Sequence, residues 1–275
     1  LNSAGIVNPP RTWEEFIKDV QMLTKRDSLG NITQSAASIG TSKNINRSTD
    51  ILGLLMLQSG TKMTNDEQTE ATFANTVGNL EVGKSALQFY TDFANIARSD
   101  RYTWNDQQKY SIDAFAEGKA AMMFNYSHQI DALRNRAARL NFGIAPMPQP
   151  GKSSLVVNYA NYWAVTTAKQ SLHPEESWQF LTYLTTSDAT SYYINEAHRP
   201  SARKDYIEQQ KTQHEYSVFA EQALTARSWY QADPVRVENI FSKMIDDVNY
   251  SRSGLAEALR EAESQVTLLM KGTPR

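Results

Sequence analysis

The chain has 275 residues, 40% of them hydrophobic and 21% charged, with a formal charge of -2 and no cysteine. That length and apolar content allow a sizeable core and exclude a disordered chain, while the near-balanced charge lacks the footprint of a nucleic-acid binder. Without cysteine there are no disulfides, thiol nucleophiles or Cys-ligated zinc, and no apolar run is long enough to span a bilayer.

Taken in chain order, helical periodicity dominates. Trp13, Phe16, Ile17, Val20 and Leu23 form one apolar face, and Thr12 with Glu15 predicts a capping box at its start. A weak strand is expected over Ala36 to Gly40, then a short apolar helix from Asp50 to Gln58. A helix is expected over Glu81 to Arg98, and another over Ser111 to Glu117, stopped by Gly118. The run Ala120 to Phe124 predicts a strand, as do Asn141 to Ala145, Leu155 to Val157 and Trp163 to Thr167. Pro174 opens a helix through Leu184. Two apolar stripes follow, Val237-Ile240-Phe241-Met244-Ile245-Val248 and Leu255-Leu259-Ala262-Val266-Leu269. Loops are expected near Asp27 to Asn31, Ser42 to Ser48, Thr61 to Asn79, Met147 to Ser154 and Ala226 to Asp233. Mixed strands and longer helices predict an α/β chain with helices on both faces of a sheet.

Catalytic signatures are sparse. The four histidines, His128, His173, His198 and His214, offer no i, i+4 metal pair. There is no Gly-x-Ser-x-Gly elbow and no phosphate-binding glycine loop. The pairs Glu14-Glu15 and Glu175-Glu176 fall in first turns of helices, where they complement the helix dipole. Polar-aromatic clusters are prominent instead: Asn125-Tyr126-Ser127-His128, Asn158 to Trp163, Arg227 to Gln231, and Arg101 to Asn105 with Trp104. Two readings fit them. Flat rings beside amides suit a polar, ring-shaped ligand, and the same rings could close the core at strand ends.

Four ordered stretches carry a resemblance. Ala4 to Phe16 is similar to an "AGI-PP-TW-EF" segment, Ala114 to Met122 to "AF-GKAAM", Phe142 to Pro148 to "G-AP-P", and Trp163-Ala164-Val165 with His173 to Leu181 to "W-I…-PE-AW-FL". Arg199 to Lys204 fits an "LPARK" turn. Together they resemble the C-terminal part of the family 1 extracellular solute-binding proteins, the sugar receptors of bacterial ABC importers. The resemblance implies a type II periplasmic-binding-protein-like α/β fold, lacking most of the N-terminal lobe that carries the family's lipoprotein signal. Residues 1–165 and 216–275 would form the C-terminal lobe, and residues 166–215 would return to the N-terminal lobe. It implies a monomeric, extracytoplasmic, non-catalytic receptor without cofactor or metal. Its partners would be a carbohydrate and a membrane permease, with no nucleic acid.

By position, the resemblance places Asn46, Arg47, Ser48, Asp50, Asn125, Tyr126, His128, Asn158, Tyr159, Asn161, Tyr162, Trp229 and Tyr230 at the ligand cleft; Trp104 joins them from its aromatic cluster. Where relatives often carry Gly-Gly, this chain has bulky Tyr159-Ala160-Asn161-Tyr162, which would narrow or reshape a pocket. Two other functions are weighed. A glycoside hydrolase would need paired carboxylates, with Asp131, Asp106 and Asp233 as candidates. A lobe with half a cleft could instead act as an interaction module.

Overall fold

The computed structural model describes residues 1–151, 155–197, 199–213 and 216–272. His198, His214 and the end of the loop expected through Ser154 lie outside the described residues.

A 3-10 turn, Asn2–Ala4, precedes helix α1, Trp13–Leu23. The expected capping box is present: Thr12 Oγ1 accepts from the Glu15 amide, while the Glu15 carboxylate accepts from the Thr12 amide. Trp13, Phe16, Val20 and Leu23 are buried along one face. Strands β1, Lys25–Arg26, and β2, Ile32–Ala37, pair antiparallel around a turn in which Asp27 accepts from the amides of Leu29 and Asn31. Helices α2, Ser48–Gln58, α3, Val82–Asp92, and α4, Ser111–Ala116, follow. Gly118, at φ 71°, ends α4 as expected, because its left-handed backbone turns the chain into strand β3, Ala120–Met122. Strand β3 pairs parallel to β2, giving a three-stranded sheet in the order β1-β2-β3.

Helix α5, Gln129–Arg136, leads toward strand β4, Asn158–Tyr159. Helices α6, Pro174–Leu184, α7, Ser187–Ala197, α8, Lys204–Gln210, and α9, Ser217–Ala223, come next. Strand β5, Ala226–Arg227, then pairs parallel to β4. Helices α10, Pro234–Asn249, and α11, Leu255–Gly272, complete the described chain. One core cluster joins α1, β2, α2, α3, α10 and α11. Its aromatic centre sets Phe16 5.6 Å from Phe93 and Trp13 5.5 Å from Phe89.

Several expected strands do not form. Asn141 to Ala145, Leu155 to Val157 and Trp163 to Thr167 join no sheet. At Val157 side-chain amides take the place of a neighbouring strand: its N–H donates to Gln149 and its carbonyl accepts from Gln58. The helix expected to reach Arg98 ends at Asp92 and continues as turns.

The segment from Asn161 to Tyr193 is unlike the rest, with none of its residues buried. Helix α6 buries none of its residues, and Trp163 is 87% exposed. Phe180, Tyr183, Tyr192 and Tyr193 are also exposed. Among the described residues, no helix is long and apolar enough to cross a membrane.

Candidate functional site

The site is built around the first turn of α2. Arg47 precedes it with a left-handed backbone, φ 61° and ψ 31°, and makes no side-chain cap. A non-glycine residue held there is strained, and such strain concentrates at functional sites. Its side chain is thereby free to turn toward α5's entry, where the guanidinium lies 5.6 Å from the Tyr126 ring centroid. Asp50 lies in that first turn. Its Oδ2 accepts from the Tyr126 hydroxyl at 2.7 Å and lies 4.0 Å from the Arg47 guanidinium. Tyr126 in turn stacks on His128, ring centroids 6.0 Å apart and planes 19° apart.

The β4–β5 pairing brings in the second half. Tyr159 leaves β4 and Trp229 follows β5; the hydroxyl of Tyr159 accepts from Gln231 Nε2 at 3.4 Å, with Trp229 close enough to favour its ionised form. Trp229 is anchored below by Phe241 and Phe73, with centroids at 5.8 and 6.5 Å. One ring edge is therefore fixed by the core while the residue stays half-exposed.

Electrostatics tie the halves together. Burial raises the Asp50 carboxyl above its ordinary value, opposed by the Tyr126 hydrogen bond and Arg47 and reinforced by Glu238. Burial likewise raises the hydroxyls of Tyr126 and Tyr159, and the charge of Asp50 adds to both. Those hydroxyls therefore stay protonated; the Tyr126 proton is committed to Asp50, and the Tyr159 hydroxyl is the one left to donate. Desolvation lowers His128, with Arg199 and Arg47 adding to the effect, so it stays neutral and can both donate and accept.

Of the residues expected at a cleft, the structure gathers Arg47, Asp50, Tyr126, His128, Tyr159 and Trp229. Asn46 and Asn125 adjoin them: Asn46 Nδ2 donates to Tyr110, and its Oδ1 is enclosed without a partner among the described residues. Asn125 accepts from the Tyr126 amide. Asn161, Tyr162 and Tyr230 are exposed in the adjoining loops.

Three expected residues are corrected. Trp104 is fully buried, and its Nε1 donates to Asn44 at 3.1 Å, so no ring face is left for a ligand. Ser48 is buried and donates to the Ser42 carbonyl. Asn158 is buried between Gln149 and Thr225, a structural amide within β4. The sequence put Gln231 in the Arg227 to Gln231 cluster but not at the cleft, and gave no signal for Gly53, a glycine inside an apolar helix. The proposed hydrolytic carboxylates have other employment: Asp233 caps α10 through the Arg236 amide, and Asp106 accepts from Tyr250. Asp131 lies in the first turn of α5. Among the described residues, no group of three or more acidic or histidine side chains could hold a metal.

The arrangement offers a carboxylate acceptor, a guanidinium donor, phenol hydroxyls and two aromatic faces around one surface. Comparison with known proteins agrees with a receptor architecture. The description "bacterial extracellular solute-binding protein" matches residues 2–220. A binding protein of Brucella abortus is 27% identical over 212 residues, covering 75% of this chain and 48% of its own. The chain thus spans about half the length of the curated relatives it matches. The sugar-binding protein MalE of Xanthomonas citri superposes with TM-score 0.76 at 17% identity, covering 98% of this chain and 66% of that one. An ABC transporter solute-binding protein of Thermotoga lettingae, solved with α-D-tagatose, gives 0.70 at 20% identity, covering 98% and 67%. These likenesses establish a periplasmic-binding-protein fold of mixed α/β class. With four-fifths of its length matched, the chain belongs to the bacterial extracellular solute-binding proteins.

Proposed function

We propose that the protein captures a sugar or oligosaccharide outside the cytoplasm and presents it to the permease of an ABC importer. The observation that carries this reading is the Asp50–Tyr126–Arg47 cluster beside Tyr159 and Trp229. A sugar has apolar C–H faces that stack on rings, and hydroxyls that both donate and accept. Asp50 accepts from two such hydroxyls at once, and Arg47 donates to their neighbours. The sugar ligands of the fold neighbours, tagatose in the Thermotoga lettingae protein among them, point to the same class.

In this reading the chain forms two lobes. Residues 1–165 and 216–275 make one, and residues 166–215 belong to a second. The bare apolar faces of α6 and α7 support the division, since they suit burial by the remainder of a second lobe. Ligand binding then works by differential affinity: a sugar touching both lobes favours the closed arrangement. With those faces covered, the protein acts as a monomer and performs no chemistry on its cargo.

Isothermal calorimetry against a panel of mono- and oligosaccharides tests this, using the chain extended to the length of its relatives. Binding of one sugar class, weakened at least tenfold by Trp229→Ala and by Asp50→Ala, is the expected result. Binding of peptides or polyamines in place of any sugar would sink it.

A further inference from the structure

Gly53 lies in the middle of α2, three residues after Asp50 and therefore on the adjoining part of the same helix face. Its backbone is ordinary helix, so no left-handed conformation requires a glycine there. Glycine weakens a helix interior relative to alanine, so its presence needs another cause. The space around it supplies one. A Cβ at position 53 would stand 3.3 Å from Cε2 of Tyr159, 3.7 Å from Cζ and 3.8 Å from the hydroxyl oxygen. The Tyr159 ring thus lies on the bare backbone of α2. The hydroxyl of the same ring accepts from Gln231, and Trp229 lies within its electrostatic reach.

We infer that Gly53 is a specificity-determining position: lacking a side chain, it seats the Tyr159 ring against α2 and so sets the depth of the cleft beside Asp50. The specificity role rests on the cleft reading above; the seat itself does not. A methyl at 53 forces the ring outward by a few tenths of an ångström, and the hydroxyl carries that movement to Gln231 and Trp229. Gly53 is a positioning residue, acting on the ligand only through Tyr159.

The test is a double-mutant cycle read by thermal unfolding and by the indole N–H signals in a 15N spectrum, with the Trp229 signal assigned by Trp229→Phe. On helix propensity alone Gly53→Ala raises the melting temperature. With Tyr159 seated on it, Gly53→Ala lowers the melting temperature, and in the Tyr159→Ala background the same change raises it. The Trp229 signal moves in Gly53→Ala, which answers the question where Tyr159→Ala does not fold. A rise in both backgrounds with an unmoved Trp229 signal overturns the seat. Maltotriose, titrated as the probe, separates the two ideas. Gly53→Ala is expected to weaken its binding about tenfold. If maltotriose leaves the wild-type Trp229 signal unmoved while calorimetry finds no sugar bound, the cleft reading and the specificity role fall together. If a sugar binds equally well to the wild type and to Gly53→Ala, the specificity role falls and the cleft reading stands.

Discussion

At the scale of single residues, Asp50 shows how a candidate site trades against stability. Its carboxyl is raised by burial despite Tyr126 and Arg47. A raised carboxyl holds its proton more tightly folded than unfolded. Folding is therefore penalised above the folded value, and the penalty vanishes below the unfolded value of about 3.9. Asp50→Asn keeps an oxygen for the Tyr126 hydroxyl and removes the charge. It is expected to raise the melting temperature at pH 7, to lose that gain below about pH 4, and to weaken sugar binding. A melting temperature lowered equally at both pH values would contradict this account. Trp104 makes the opposite case. From the sequence its ring looked like the others, because neighbouring Asn and Arg residues surround both a cleft ring and a core ring. The structure buries it against Asn44. Trp104→Phe should destabilise by roughly 0.5–1.5 kcal/mol, by removing one of the two donors to the Asn44 amide oxygen while the Thr41 hydroxyl remains, and should leave sugar affinity unchanged in calorimetry.

At the scale of elements, legibility followed the range of the forces involved. Helix α1 could be read to the residue, because its capping box and its i, i+3, i+4 burial are local. Thr12→Ala should therefore remove about 1 kcal/mol in urea unfolding. Helix α2 was legible as an apolar run, and Leu52 and Met56 are fully buried in it. Leu52→Ala should cost roughly 2–5 kcal/mol in the same measurement. Strands were read less well. Val157 has the β-branched side chain of a strand residue, but a strand exists only through a partner. Here Gln149 and Gln58 supply those hydrogen bonds, at sequence separations of 8 and 99 residues. No local pattern announces a glutamine in that role. The site showed the same limit. Tyr159 and Trp229 were visible as rings, whereas the glycine under Tyr159 could be understood only once β4 had been laid across α2.

At the scale of the whole molecule, the core joins α1 to α4 with α10 and α11, while α5 to α9 contribute nothing to it and α6 and α7 carry bare aromatic faces. Large exposed apolar patches bind hydrophobic dyes and drive self-association. The 275-residue chain should therefore enhance ANS fluorescence and sediment as oligomers at tens of micromolar. The double substitution Phe180→Ser/Tyr183→Ser should reduce both; a monodisperse chain that ignores the dye would refute that surface. The β4–β5 ladder has a consequence in time as well as in space. Asn158 and Thr225, whose side chains bond within it, are 67 residues apart. Closing so long a loop costs about 4 kcal/mol of chain entropy before any contact rewards it. The β2–β3 pairing, Ser35 with Ala120, closes a still longer loop but is repaid by the core around Ala36, Ala37 and Ala120, whereas the β4–β5 ladder is only two residues per strand; Tyr159 meets Trp229 and Gln231 only once that short ladder closes. The candidate site is thus assembled late in folding and opens early in partial unfolding. Amide hydrogen exchange should find Asn158 and Ala160 less protected than Leu52, and a bound sugar should slow their exchange most.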